Sequence, residues 1–104
     1  MRGPPKPGDP ERFRMLLARV RSDSDSAPWR YAALVSLGVM GERLEPVLRA
    51  LSALGYDDAL PPWLAKQAHE VYLISYHNAN RVDGGREGRS TYPRFSSEMT
   101  QATP

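Results

Sequence analysis

This 104-residue chain contains no cysteine, which excludes a cysteine nucleophile and thiolate metal ligands. The side chains that remain as candidates for catalysis or metal binding are two histidines and two pairs of carboxylates. His69 and His77 are eight residues apart, which on one helix separates them by about 12 Å along the axis and about 80° around it. They cannot share a metal ion. His69 and Glu70 begin like a zinc-protease signature, but Leu73 stands where the second histidine belongs. The histidines therefore predict no metal site.

The paired carboxylates are the adjacent Asp57 and Asp58, and Glu42 with Glu45 at a spacing of three. Such pairs can supply a general acid and a general base only when other groups orient them. The sequence has no nucleophile motif, no glycine-rich phosphate loop and no cluster of metal ligands. We therefore predict that the protein is not an enzyme and takes no cofactor, and a small enzyme using these carboxylates is the least favoured hypothesis.

The composition, 40% apolar and 25% charged, is typical of a single soluble globular domain. No apolar run approaches the roughly 18 residues needed to span a bilayer, and residues 1–7 lack the apolar core of a secretory signal. We therefore expect a cytoplasmic protein. The net charge of +2 is distributed as +4 over residues 1–22, −3 over residues 23–80 and +1 over residues 81–104. This division argues against a one-sided basic surface for nucleic acid.

Hydrophobic residues recur at helical spacing in four segments that could position these side chains. The predicted helices cover residues 10–21, about 27–37, about 45–54 and about 62–80. Asp9 would cap the first, and Gly55 would end the third in a left-handed conformation. The predicted fold is all-α, a small bundle of three or four helices over residues 9–80. Residues 1–8 would form a flexible lead-in, and residues 81–104 a flexible or loosely docked tail.

The second helix is apolar on nearly every side, with only Arg30 and Ser36 interrupting a pattern that includes Trp29. A helix of this kind belongs at the centre of a bundle. Gly38 and Gly41 would bracket the turn that follows it.

Three surfaces are candidates for binding. Trp63 and Ile74 lie away from the main apolar stripe of the fourth helix, so that side needs a second partner: another helix of the same chain, a neighbouring subunit or another protein. His69, Leu73 and Tyr76 form a ridge on the same helix, which is either a contact surface or the boundary of the core.

Four arginines flank the apolar stripe of the first helix, where they could bind an acidic partner or cover the rim of the core. They are Arg12 and Arg19 on one edge, and Arg14 and Arg21 on the other.

Residues 33–47 also have the apolar spacing of a helix-turn-helix motif, with Gly38 at its turn. Arg43 and Arg49 would then contact DNA from the recognition helix. Pro46 interrupts that helix, and neighbouring carboxylates would face phosphates. A DNA-binding regulator is therefore the alternative hypothesis.

Three segments resemble, in order, the ryanodine-receptor-type repeat of small bacterial and phage proteins. Leu51–Tyr56 resembles its leucine-glycine turn, Leu64–Tyr72 its alanine and histidine-glutamate helix, and Tyr92–Phe95 its late proline. The resemblance covers about half of the chain and implies a small, mostly helical binding module.

These features together predict a small regulatory or interaction module that binds another protein or a second copy of itself. A bacterial, phage or mobile-element origin would fit. Nucleic acid is the less favoured partner.

Overall fold

The computed structural model describes residues 10–80 and 92–101, and within these ranges all the regular structure is α-helical. The prediction of a small all-α bundle is therefore confirmed. The predicted lead-in, the cap at Asp9 and residues 81–91 of the predicted tail lie outside the described residues. The helices are α1 (Pro10–Arg21), α2 (Ala27–Gly41), α3 (Glu45–Leu54), α4 (Pro62–Ala79) and α5 (Ser97–Gln101).

Each of the four long helices has a proline in its first turn. Proline suits this position because its fixed φ is already helical and because the amide that it lacks would have no partner there. These prolines are Pro10, Pro28, Pro46 and Pro62.

The core lies where α2 packs against α1, α3 and α4, as its central place in the sequence pattern predicts. Leucine and valine side chains fill it, and each fully buried one stabilises the fold by about 1.5–3 kcal/mol. The fully buried leucine and valine side chains are Val20, Leu34, Leu37, Leu51, Leu54, Leu64 and Val71.

Helix α2 continues to Gly41, so the predicted turn at Gly38 is wrong. Gly38 instead permits close packing, because a Cβ atom there would lie 2.6 Å from Cγ1 of Val71 in α4. At Gly41 a Cβ atom would lie 2.9 Å from Oγ of Ser75. Ser75 is buried, and its hydroxyl donates a hydrogen bond of 2.7 Å to the carbonyl of Gly38. Both glycines therefore serve the contact between α2 and α4.

The left-handed cap predicted at Gly55 is also wrong, because its φ of −66° is right-handed. The chain continues in right-handed turns, in which the amides of Tyr56 and Asp57 donate to carbonyls at the end of α3. A Cβ atom at Gly55 would lie 3.3 Å from Cβ of His69. The small residue thus brings the end of α3 close to α4.

The first turn of α2 buries its arginine and exposes its tryptophan. Trp29 is 60% exposed, whereas Arg30 is 6% exposed. Nε of Arg30 donates a hydrogen bond of 3.0 Å to the carbonyl of Val20 near the end of α1, and Nη2 lies 3.6 Å from the Asp23 carboxylate. Carbonyls in the last turn of a helix lack partners within it, so Arg30 caps α1 from the neighbouring helix.

The C-terminal strap, which we define as residues 92–101, lies against α2 and α4. Tyr92, Phe95 and Met99 pack against the core. The Phe95 ring lies between those of Tyr31 and Trp63, with centroid distances of 5.9 and 6.2 Å. The hydroxyl of Tyr31 also donates a 2.5 Å hydrogen bond to the backbone of the strap at Pro93. The described part of the predicted tail is thus docked on the bundle.

Candidate functional site

The side of α4 that carries Trp63 lies under the strap. Phe95 packs edge-on against Trp63, which is half-buried. Ile74 is half-buried as well. The residue that covers Trp63 comes from the same chain, but Phe95 lies in the non-helical part of the strap and not in another helix as predicted.

The ridge of His69, Leu73 and Tyr76 faces solvent. Leu73 is 47% exposed and Tyr76 is 51% exposed. Tyr72 joins the two ends of the ridge into a row of rings, since its centroid lies 6.4 Å from that of His69 and 6.0 Å from that of Tyr76. Because the strap leaves this ridge uncovered, it remains an accessible surface.

The rings of Tyr72 and Tyr76 form one wall of an open cavity of about 460 Å³, which we call the α3–α4 groove. It extends to the ends of α2 and α4. Its lining residues are Gly41, Glu42, Arg43, Glu45, Leu48, Arg49, Ser52, Tyr72, Tyr76, Ala79 and Asn80.

Two carboxylates of the α3–α4 groove have different partners. Glu45 accepts a 2.8 Å hydrogen bond from Nη2 of Arg49, and this contact raises the pKa of the Arg49 guanidinium. Oε2 of Glu42 instead accepts hydrogen bonds from the Tyr92 hydroxyl and, at 3.0 Å, from Nδ2 of Asn78. Glu42 thus has two neutral donors, whereas Glu45 has a cation.

The residues of the DNA-binding hypothesis lie at this groove. Residues 42–44 join α2 to α3, so the connection comes later than Gly38, where the spacing of a helix-turn-helix motif predicted the turn. Arg43 and Arg49 are exposed, but Arg49 is paired with Glu45 in the first turn of α3. The would-be recognition helix therefore presents mixed charge.

A second exposed surface, the α1–α2 face, is formed by Met15, Leu16, Trp29, Ala32 and Ser36. Met15 is 66% exposed and Trp29 is 60% exposed, and a shallow cavity of about 240 Å³ lies between α1 and α2. Cζ of Arg19 lies 5.5 Å from the Trp29 ring centroid, a cation–π geometry.

The four arginines of α1 are all exposed, and two of them form ion pairs. Arg19 lies 3.8 Å from the Asp25 carboxylate, and Arg21 lies 3.5 Å from that of Asp57. Among the described residues, Arg12 and Arg14 have no ion-pair partner. Helical geometry places Arg12 and Arg19 on the edge of α1 that carries Met15.

The exposure of Met15 and Trp29, and the place of Tyr72 beside the ridge, were not predicted from the sequence. The signal for Met15 was present, because it lies between Arg12 and Arg19 at helical spacing and so interrupts a basic edge with an apolar side chain. Trp29 carried no such signal, because its helix is apolar on nearly every side.

Within residues 10–80 and 92–101, no group of three acidic or histidine side chains is placed to hold a metal ion. No helix in these ranges has the length and apolar character needed to cross a membrane. The chain matches no model of a known protein family, no curated protein and no solved structure.

Proposed function

We propose that the protein is a helical interaction module whose α1–α2 face binds an acidic amphipathic helix of another protein. The exposure of Met15 and Trp29 beside one shallow cavity carries this proposal. Burying a large apolar side chain yields about 1.5–3 kcal/mol, and a tryptophan at the centre of an interface is often among the residues that contribute most to binding.

The charge around the α1–α2 face selects the partner. Arg12 has no ion-pair partner among the described residues, and the pair between Arg19 and Asp25 is long at 3.8 Å and exposed to solvent. Such a pair exchanges readily for another carboxylate. A partner helix with an apolar stripe and flanking glutamates would therefore be attracted and oriented by these arginines.

The test uses the full chain and two labelled helical peptides with the same apolar stripe, one flanked by glutamates and one by lysines. We expect fluorescence anisotropy to show tighter binding of the glutamate peptide. Trp29→Ala should weaken binding by about tenfold or more, as expected for an anchor residue. The control is Tyr56→Ala, because Tyr56 is 77% exposed and does not line the α1–α2 face.

Equal binding of the two peptides, or no effect of Trp29→Ala, would contradict the proposal. Sedimentation provides a further arm, since a dimer abolished by Trp29→Ala would assign this face to a second copy of the chain. The natural partner can then be sought by capture from nuclease-treated lysate, with the Trp29→Ala protein as the matched bait.

The exposed Arg43 and Arg49, beside the connection between α2 and α3, keep a DNA-binding regulator as the second candidate. Phosphate contacts lose affinity steeply as salt rises, whereas apolar contacts do not. We expect weak, non-specific retention of duplex DNA that disappears at physiological salt. Sequence-dependent retention that is lost on Arg43→Ala or Arg49→Ala would favour this candidate instead. The resemblance to the ryanodine-receptor-type repeat stays a prediction and is compatible with a binding module.

A further inference from the structure

We propose that the α3–α4 groove is a binding site for an organic monocation, an alkylguanidinium or alkylammonium group whose stem packs on the stacked rings of Tyr72 and Tyr76. This site is separate from the α1–α2 face. It follows from the partners of Glu42, the helix ends that meet in the groove and the tyrosine wall.

Glu42 stands at an electrostatically unfavourable position. It is the residue that follows the last turn of α2, where the helix dipole places partial negative charge and where a basic residue is normally favoured. Glu42 is half-buried, and its carboxylate accepts hydrogen bonds from the neutral side chains of Tyr92 and Asn78. Among the described residues, no arginine, lysine or histidine forms an ion pair with it. A bound cation would supply that missing charge.

The carboxyl-terminal end of a second helix meets the same groove. Ala79 and Asn80, at the end of α4, line it together with Gly41 at the end of α2. The carbonyl groups at both helix ends contribute partial negative charge, so their fields add to that of the Glu42 carboxylate.

The tyrosine wall complements these charges. Tyr72 and Tyr76 are stacked with an interplanar angle of 29°, and the faces of such rings attract cations. Leu48 adds an apolar surface for a stem. The two arginines in the lining do not offset the negative charge of Glu42. Arg49 is neutralised by Glu45, and the exposed Arg43 makes no ion pair with Glu42 in the described structure.

The cavity fits an organic cation better than a metal ion. A volume of about 460 Å³ lies in the range of sites for small organic ligands. The described residues of the groove also do not provide three acidic or histidine side chains in metal-binding proximity. A guanidinium group can come from a small free molecule or from an arginine side chain of a peptide, and both sources share the chemistry proposed here.

The experiment is an amide NMR titration of the full chain with butylguanidine, with N-acetylarginine amide and with butylurea, the neutral molecule of the same shape as butylguanidinium. We expect both cations to cause saturable shifts at Gly41, Tyr76 and Asn80, and butylurea to cause none. A lower Kd for butylguanidine would indicate a free small molecule, and a lower Kd for the capped arginine would indicate a peptide side chain. Equal shifts with butylurea, or none with either cation, would overturn the proposal.

Glu42→Gln is the main variant, because its amide oxygen can still accept from Tyr92 and Asn78 while the charge is lost. We expect the affinity for the cation to fall about tenfold or more. Glu70→Gln, an exposed residue of α4 outside the groove, should leave it unchanged. The amide shift of Phe95 reports whether the strap stays docked. If Glu42→Gln fails to fold, Tyr76→Ala decides, since full affinity in that variant would contradict the site.

Discussion

The hydroxyl of Tyr92 donates a hydrogen bond to the carboxylate of Glu42, a residue 50 positions earlier in the chain. Asn78 of α4 donates to the same oxygen atom. One carboxylate of the α3–α4 groove is therefore held by the strap and by α4 together. This contact links the docking of the strap to the shape of the proposed cation site. A substitution of Tyr92 should therefore alter both the docking and the site.

The first prediction concerns the stability of the strap at alkaline pH. Burial, followed by the hydrogen bond and the charge of Glu42, raises the pKa of Tyr92 above its ordinary value of 10.0. The unfolded chain therefore loses this proton at lower pH than the folded chain does. The stabilisation is complete below pH 10 and is lost above it, by up to about 1.4 kcal/mol for each pH unit.

Urea unfolding at several pH values, with tyrosinate absorbance to follow ionisation, measures this effect. Tyr92→Phe should reduce the alkaline loss of stability, leaving the part that belongs to Tyr31, whose pKa burial also raises. Tyr56→Phe, at an exposed position, should retain the full loss. An unchanged pH profile in Tyr92→Phe would show that the Tyr92 proton does not control docking.

The second prediction compares two glycines. Gly38→Ala places a Cβ atom 2.6 Å from Cγ1 of Val71 and 3.0 Å from the Tyr92 ring, so these side chains or the helices that carry them must shift. We expect the free energy of unfolding to fall by about 1–3 kcal/mol. Gly55→Ala is the matched control, because Gly55 has a right-handed φ and its nearest new contact would be 3.3 Å.

Alanine at position 55 also restricts the unfolded chain, which favours folding by about 0.4–1 kcal/mol. We therefore expect Gly55→Ala to be near neutral in urea unfolding. Equal losses in the two variants would contradict the role of Gly38 in packing.

The third prediction tests the capping of α1 by Arg30. Arg30→Met keeps most of the buried stem but removes the hydrogen bond to the carbonyl of Val20. Leaving that carbonyl without a partner should cost about 1–3 kcal/mol, and amide exchange in the last turn of α1 should accelerate. Asp23→Asn should cost at most about 1 kcal/mol, because Asp23 is 91% exposed and its pair with Arg30 is long. Comparable effects of the two substitutions would show that the ion pair, and not the cap, is what Arg30 contributes.

The sequence by itself determined the four long helices and where they begin, whereas α5 was not predicted. The spacing of Leu64, Ala68, Val71 and Ser75 gives α4 a stripe of buried side chains. The starts of α2, α3 and α4 follow from Pro28, Pro46 and Pro62, since a proline fixes the first turn through its own ring. These features depend on residues within one or two turns of each other, so a local pattern is sufficient to predict them.

Only the tertiary structure decided which sides of the helices are covered by neighbouring segments. When a helix is apolar on nearly every side, its sequence does not show which side will pack against the neighbouring helices. In α2 the packing leaves Trp29 exposed and buries Arg30. The roles of Gly38 and Gly55 depend on how closely α4 approaches α2 and α3, and a glycine is compatible with a turn or with a close contact.

The docking of the strap and the hydrogen bonds of Glu42 also depend on the tertiary structure. Tyr31 contacts Pro93, and Glu42 contacts Tyr92, across 62 and 50 positions of the chain. Periodicity cannot encode such pairs, because it records only which residues share a face of one helix. Docking of the strap depends on a cleft that exists only after α2 and α4 have packed together, and so the accessible surfaces of this protein were fixed by packing.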